Sequence, residues 1–144
     1  MIKIEKKKHS KLDAKVLFNL VSNVESYSKF IPWVKNSTIE REVHDYFFAN
    51  LEMKYLLFSG SFVSKVSLDK YDNKINVLGV KGPFNYLEAN WIFDEYDNGT
   101  LISISLELDL ENIVLESLIK KESEKLINKA VLSFEKRIFD ISNI

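Results

Sequence analysis

Residues 112–141 read NIVLESLIKKESEKLINKAVLSFEKRIFDI, a run of thirty residues with no glycine and no proline. Asn112 is placed to cap its start, because the side-chain oxygen accepts a backbone N–H that the first helical turn leaves unpaired. Behind it Leu115, Leu118, Ile119, Leu126, Ile127, Ala130, Val131, Phe134, Ile138 and Ile141 recur at helical spacing and form one broad stripe. Lys120, Lys121, Glu124, Lys125, Asn128, Lys129, Glu135 and Lys136 take the opposite face. At 1.5 Å per residue the helix is roughly 45 Å long. A helix of that length with one apolar face needs a large apolar partner.

The segment immediately upstream supplies one. Ile102, Ile104, Leu106, Leu108 and Leu110 alternate with Ser103, Ser105, Glu107 and Asp109, the period of a strand with one face in water. Asp97-Asn98-Gly99 precedes it as a hairpin turn, with Asn98-Gly99 expected at positive φ. Leu87, Ala89, Trp91 and Phe93 alternate before that, and Lys81-Gly82-Pro83 separates them from Ile75, Val77 and Gly79. Asp69 to Lys74 is a turn. Phe62, Ser64, Val66 and Leu68 mark one strand, Phe47, Ala49, Leu51, Met53, Tyr55 and Leu57 another, and Ile39 with Val43 a third. The period is 3.6 nearer the start. Ser10 and Asp13 resemble a capping box ahead of a helix carrying Leu12, Val16, Phe18, Leu20 and Val21. A second short helix runs from Asn23 to Ile31, ended by Pro32 because a residue before proline is pushed out of helical geometry. Ile2 to His9 forms the first strand.

The order is strand, two short helices as an inserted flap, six strands and a long helix. It predicts a soluble α+β domain in which a twisted, curved seven-stranded antiparallel sheet wraps the C-terminal helix. The whole of residues 1–144 reads as a single domain, long enough to bury roughly two thirds of its unfolded surface. No repeat or linker interrupts it. Hydrophobic residues make up 46% and charged residues 28%, and the net charge of -1 provides no overall basic field to recruit DNA. With no cysteine, disulfides, thiol catalysis and cysteine-bound metal are excluded. No apolar run approaches the roughly eighteen residues of a membrane span, and MIKIEKKKHS lacks a signal peptide's apolar core, so a cytoplasmic location is expected.

Catalytic patterns are scarce. His9 and His44 are the only histidines and lie on the charged faces of expected strands, the four glycines form no phosphate loop, and no serine sits in a nucleophile elbow. Glu88, Asp94, Glu107 and Asp109 fall on outward positions of their strands, where paired acid–base work is not expected. Glu122 alone interrupts the apolar stripe; it is either an edge residue reaching solvent or a polar group at a cavity mouth. Lys3, Lys6, Lys7, Lys8, Lys11 and Lys15 are candidates for contact with RNA or anionic lipid, although lysine on an edge strand usually serves to deter strand addition. Tyr27, Phe30 and Trp33 cluster in the flap, and Phe84, Tyr86 and Trp91 flank the Gly82-Pro83 break. Most suit a core, and together they also suit an apolar ligand pocket.

Tyr27-Ser-Lys-Phe30-Ile-Pro32-Trp33, Phe62-Val-Ser-Lys-Val66, Gly82-Pro83-Phe84 with Leu87 and Trp91-Ile-Phe93, then Asn112 and Ala130-Val-Leu-Ser-Phe134-Glu135-Lys-Arg137 resemble, in order along the chain, the coenzyme Q-binding START-domain family. Its members include a mitochondrial coenzyme Q-binding protein and the bacterial ribosome-association toxin RatA. The resemblance implies the helix-grip (START/Bet v 1-like) fold, with an apolar tunnel between sheet and helix. It implies a carrier or chaperone of ubiquinone or a similar prenyl lipid that supports respiratory electron transfer, free of catalysis and of any cofactor beyond that ligand. Peripheral contact with the inner membrane follows from that role. By the same resemblance Phe30, Pro32, Trp33, Phe84 and Trp91 shape the pocket and its entrance, with Leu115 and Leu118 from the helix. The alternative is a toxin that binds the large ribosomal subunit and blocks subunit association; an aromatase or cyclase ranks third. Two positions depart from the family's pattern, Val34 where a cysteine is frequent and Glu122-Ser123 where bulky apolar residues are.

Overall fold

The computed structural model describes residues 1–55 and 58–142, so the expected inward position of Leu57 lies outside the described residues. The chain runs β1 (Ile2–Ser10), α1 (Ala14–Ser22), a 3-10 helix (Val24–Lys29), β2 (Val34–Val43), β3 (Tyr46–Tyr55), β4 (Phe58–Asp69), β5 (Lys74–Lys81), β6 (Phe84–Tyr96), β7 (Gly99–Leu110) and α2 (Ile113–Ser142). All seven strands join one antiparallel sheet in the order β1-β7-β6-β5-β4-β3-β2. The lysine-rich first strand is therefore an edge, as its composition suggests. The alternating residues face inward as expected: Phe47, Ala49, Val66, Ile75, Phe93, Ile102, Leu108 and Leu110 are all buried. Asn112 caps α2, its side-chain oxygen accepting the Leu115 N–H at 3.0 Å.

Five local expectations are corrected. The cap of α1 is Asp13, whose carboxylate accepts the Lys15 N–H. Ser10 is occupied elsewhere, its hydroxyl accepting from Leu12 N–H and donating to Glu135 at 2.9 Å. Leu12 therefore precedes the helix, Val16 faces out, and Ala14, Leu17, Phe18 and Val21 are the buried positions. The second helix ends at Lys29, where Phe30 leaves helical geometry, so Pro32 falls in the loop beyond. Val43 is exposed at the end of β2, and Ile141 is exposed near the end of α2.

The fifth concerns the β6–β7 turn. Positive φ occurs at Asp97 and Asn98, while Gly99 pairs with Tyr96 as the first residue of β7. Glycine is required at 99 for space, because a Cβ there would stand 2.1 Å from the Ser10 carbonyl oxygen.

Two separate apolar clusters hold α2 to the sheet. The larger joins α1, the 3-10 helix and the sheet centre to Val131 and Phe134 of α2. The smaller joins Ile2, Leu108 and Leu110 to Leu115, with Phe84 and Ile119 packed against it. Between Leu115 and Val131 no residue of α2 is fully buried, and the sheet residues Met53, Val77, Ala89 and Leu106 on the inner face remain only half-buried. The helix is gripped at its two ends and spans a looser middle.

Candidate ligand site between the flap and the C-terminal helix

The flap is held in place by a buried hydroxyl. Ser37 of β2 donates to the Glu25 carbonyl at 2.8 Å and accepts the Ser28 N–H at 3.1 Å, which ties the 3-10 helix to the sheet. Tyr27 drops its ring into the core and donates its phenol to the Val21 carbonyl, and burial pushes that phenol far above its ordinary range. Its ring meets Phe134 edge-on at 5.4 Å and Phe30 at 6.1 Å, while Phe30 meets Phe134 at 5.5 Å. Trp91 completes the set, stacked on Phe93 and edge-on to Phe134 at 5.8 Å. Such aromatic pairs add roughly 0.5–1.5 kcal/mol each beyond their burial. Phe134 is thus the pin that holds the last half of α2 against the flap.

Beside that pin lies a cleft of about 790 Å³. Phe30, Pro32, Trp33, Tyr55 and Leu132 form its apolar lining. Its rim carries five cations, Lys29, Lys54, Lys129, Lys136 and Arg137, and one acid, Asp140. Trp33 is fixed by edge-on contact with Tyr55 at 6.0 Å, and its carbonyl accepts the Lys54 N–H at 2.9 Å. Arg137 lies over the Phe30 ring at 5.5 Å, and its Nε is buried with no hydrogen-bond partner.

The seven residues assigned by resemblance to a pocket separate into three places. Phe30, Pro32 and Trp33 line this cleft. Leu115 and Leu118 border a smaller cavity of about 170 Å³ at the far end of α2, with Phe58. Phe84 packs near that far end with Phe62, its ring lying so close under β5 that a Cβ at Gly79 would stand 2.6 Å from it. Trp91 sits within the aromatic pin at the flap end, edge-on to Phe134. Tyr86, on the outer face, donates to Glu88 at 2.9 Å. Hydrogen bonds from Asn76 and Tyr86 hold the Glu88 carboxyl below its ordinary range. The cations of the cleft are scattered through the sequence at 29, 54, 129, 136 and 137, and only the pairing of the flap with α2 assembles them.

The charged stripe of α2 also does more than meet solvent. Glu124 accepts a hydrogen bond from Lys6, which lowers the acid's pKa, and Glu135 accepts the Ser10 hydroxyl. The Met1 amino group lies 3.6 Å from Glu116. Three acids of α2 thereby meet the start of the chain and two positions of β1, Met1, Lys6 and Ser10. Glu122 is half-buried, while Glu124, two residues on, reaches Lys6 of β1. The basic cluster at the start of the chain is divided by the pleat: Lys6 turns to α2, Lys3 and Lys7 are exposed, and Lys15 donates to the Lys70 carbonyl. His9, against the Tyr96 carbonyl, and His44 are both at the surface. Among the described residues no group of three or more His, Asp or Glu is arranged to hold a metal ion. No described helix is long and apolar enough to cross a membrane.

Residues 11–135 match the family described as polyketide cyclase/dehydrase and lipid transport. A curated relative, the ribosome association toxin RatA of Rickettsia prowazekii, is 28% identical over 130 residues, covering 88% of this chain and 89% of the relative. Among solved structures, an 18 kDa protein from Caulobacter crescentus superposes with a TM-score of 0.85 at 22% identity, covering all of both chains. A START superfamily protein from Mycobacterium smegmatis gives 0.83 at 18% identity, covering 96% of this chain and 98% of that one. An aromatase/cyclase from a Streptomyces species gives 0.80 at 14%, covering 95% of each. At these identities the solved structures establish the helix-grip fold and nothing finer.

Proposed function

This chain belongs to the polyketide cyclase/dehydrase and lipid transport family, and from that membership we propose that it carries an apolar small molecule, ubiquinone or a similar prenyl lipid, between the curved sheet and α2. In this reading it is a non-catalytic carrier or chaperone that serves respiratory electron transfer and meets the membrane only peripherally. The observation that supports it is the two-ended grip. Val131 and Phe134 anchor one end of α2 and Leu115 the other, while the apolar inner face beneath the middle stays half-buried. An isoprenoid tail laid there would cover that face, at roughly 25 cal/mol per Å² of apolar area before ordering costs.

The test is native mass spectrometry with organic extraction of protein purified from a quinone-producing host, comparing wild type with Ala89→Leu, which fills the space under the helix. Near-stoichiometric prenyl lipid on the wild type and none on a folded variant is the expected result. An empty wild type overturns the carrier reading.

A second reading rests on the relative named as a ribosome association toxin. Here the exposed lysines Lys3, Lys7 and Lys11 would touch ribosomal RNA, and the chain would block subunit association. Salt-sensitive co-sedimentation with ribosomal subunits, weakened by Lys3→Glu with Lys7→Glu, favours it; unchanged subunit profiles exclude it.

A further inference from the structure

We infer that the cleft between the flap and α2 is an anion site, and that the molecule carried is an amphiphile with an acidic head, a phosphate or carboxylate, on its apolar body. The inference rests on the carrier reading and narrows it, selecting a prenyl lipid with an acidic head over ubiquinone, whose quinone head is neutral. Five cations converge on one concavity in a chain whose net charge is -1. Among the described residues none of the five stands in an ion pair. Elsewhere on the same helix Glu116, Glu124 and Glu135 are engaged by Met1, Lys6 and Ser10, so none of these acids answers the charge of the cleft. Five like charges with one acid, Asp140, among them repel on balance, and a bound anion reduces that repulsion. Arg137 is the most specific member. Its planar group is held over Phe30 beside the cleft, and its Nε is buried with no hydrogen-bond partner.

The shape selects a small amphiphile over a nucleic acid. The volume of about 790 Å³ lies within the roughly 300–1,000 Å³ typical of small-ligand sites. A single strand of RNA would need open ring faces for its bases to stack on. Here Phe30 is covered by Arg137 and by edge contacts from Tyr27 and Phe134, and Trp33 is braced by Tyr55. What the cleft offers is an apolar lining under a cationic rim.

The experiment uses delipidated full-length protein and matched probes with one tail: geranylgeranyl monophosphate, geranylgeraniol, inorganic phosphate alone and a short oligouridylate. Binding is read by calorimetry. The acidic prenyl probe is expected to bind at least about tenfold more tightly than the alcohol, as a charge-assisted contact requires. Arg137→Gln should abolish that preference, bringing the affinity for the prenyl phosphate down to that for the alcohol. Lys136→Gln, if Arg137→Gln does not fold, should reduce it. Equal affinity for both prenyl probes overturns the anion site and leaves the apolar carrier standing. Binding of neither overturns the carrier itself. Phosphate alone binding as tightly as the prenyl phosphate, or oligouridylate binding more tightly than either, overturns the amphiphile.

Discussion

The two long sides of α2 are built from similar residues and used differently. On the β1 side, Glu116, Glu124 and Glu135 each meet a donor at Met1, Lys6 and Ser10, so the charges close a seam. On the flap side, Lys129, Lys136 and Arg137 face a cleft with no acid paired to them among the described residues. One side fastens the helix and the other is left able to take a charge. Satisfied polar groups on a surface seam contribute modestly, whereas a buried donor left without an acceptor, as the Arg137 Nε is, costs more.

The comparison predicts a ranking. Phe134→Ala should be the most damaging single change, because that ring is buried where Tyr27, Phe30 and Trp91 converge; a loss of about 3–5 kcal/mol is expected by urea denaturation. A loss under about 1 kcal/mol would mean that the flap end does not anchor the helix. Ser10→Ala should cost about 1–2 kcal/mol, since it removes the hydroxyl that donates to the half-buried Glu135 and accepts the Leu12 N–H. If it costs as much as Phe134→Ala, the seam and not the aromatic pin holds the helix. Acid titration of the Lys6–Glu124 contact should have the smallest effect. The Glu124 carboxyl is held below its ordinary 4.5, so its contribution is complete above that pH and disappears as pH falls through the lower folded value. Wild type and Glu124→Gln should therefore differ in denaturation midpoint near neutral pH and converge in acid. A difference that persists in acid would assign the effect to packing, not charge.

Much of the fold was legible because each element carries its own period. The alternation of Ile102 through Leu110 and the stripe from Leu115 to Ile138 each follow from which side chains avoid water. Errors fell where several contacts compete for one residue. Ser10 looked like a helix cap and instead bonds Glu135, a residue 125 positions away. Glu124 and Glu135 looked solvated because a helical wheel has only two faces, whereas a helix resting in a curved sheet has edges as well. Gly99 looked like a turn residue and is in fact a gap filled by the Ser10 carbonyl.

The candidate site shows the same division. Phe30, Pro32 and Trp33 were marked by a local run of sequence, and the structure places them together on one cleft. Their cationic partners come from three separate elements, the 3-10 helix, β3 and α2, so no window of sequence contains them. The sequence by itself determined the strands, the long helix and which faces they bury, since those depend on neighbours a few residues away. Only the tertiary structure decided which charges on α2 are answered and which are not, because charge pairing depends on distance through space.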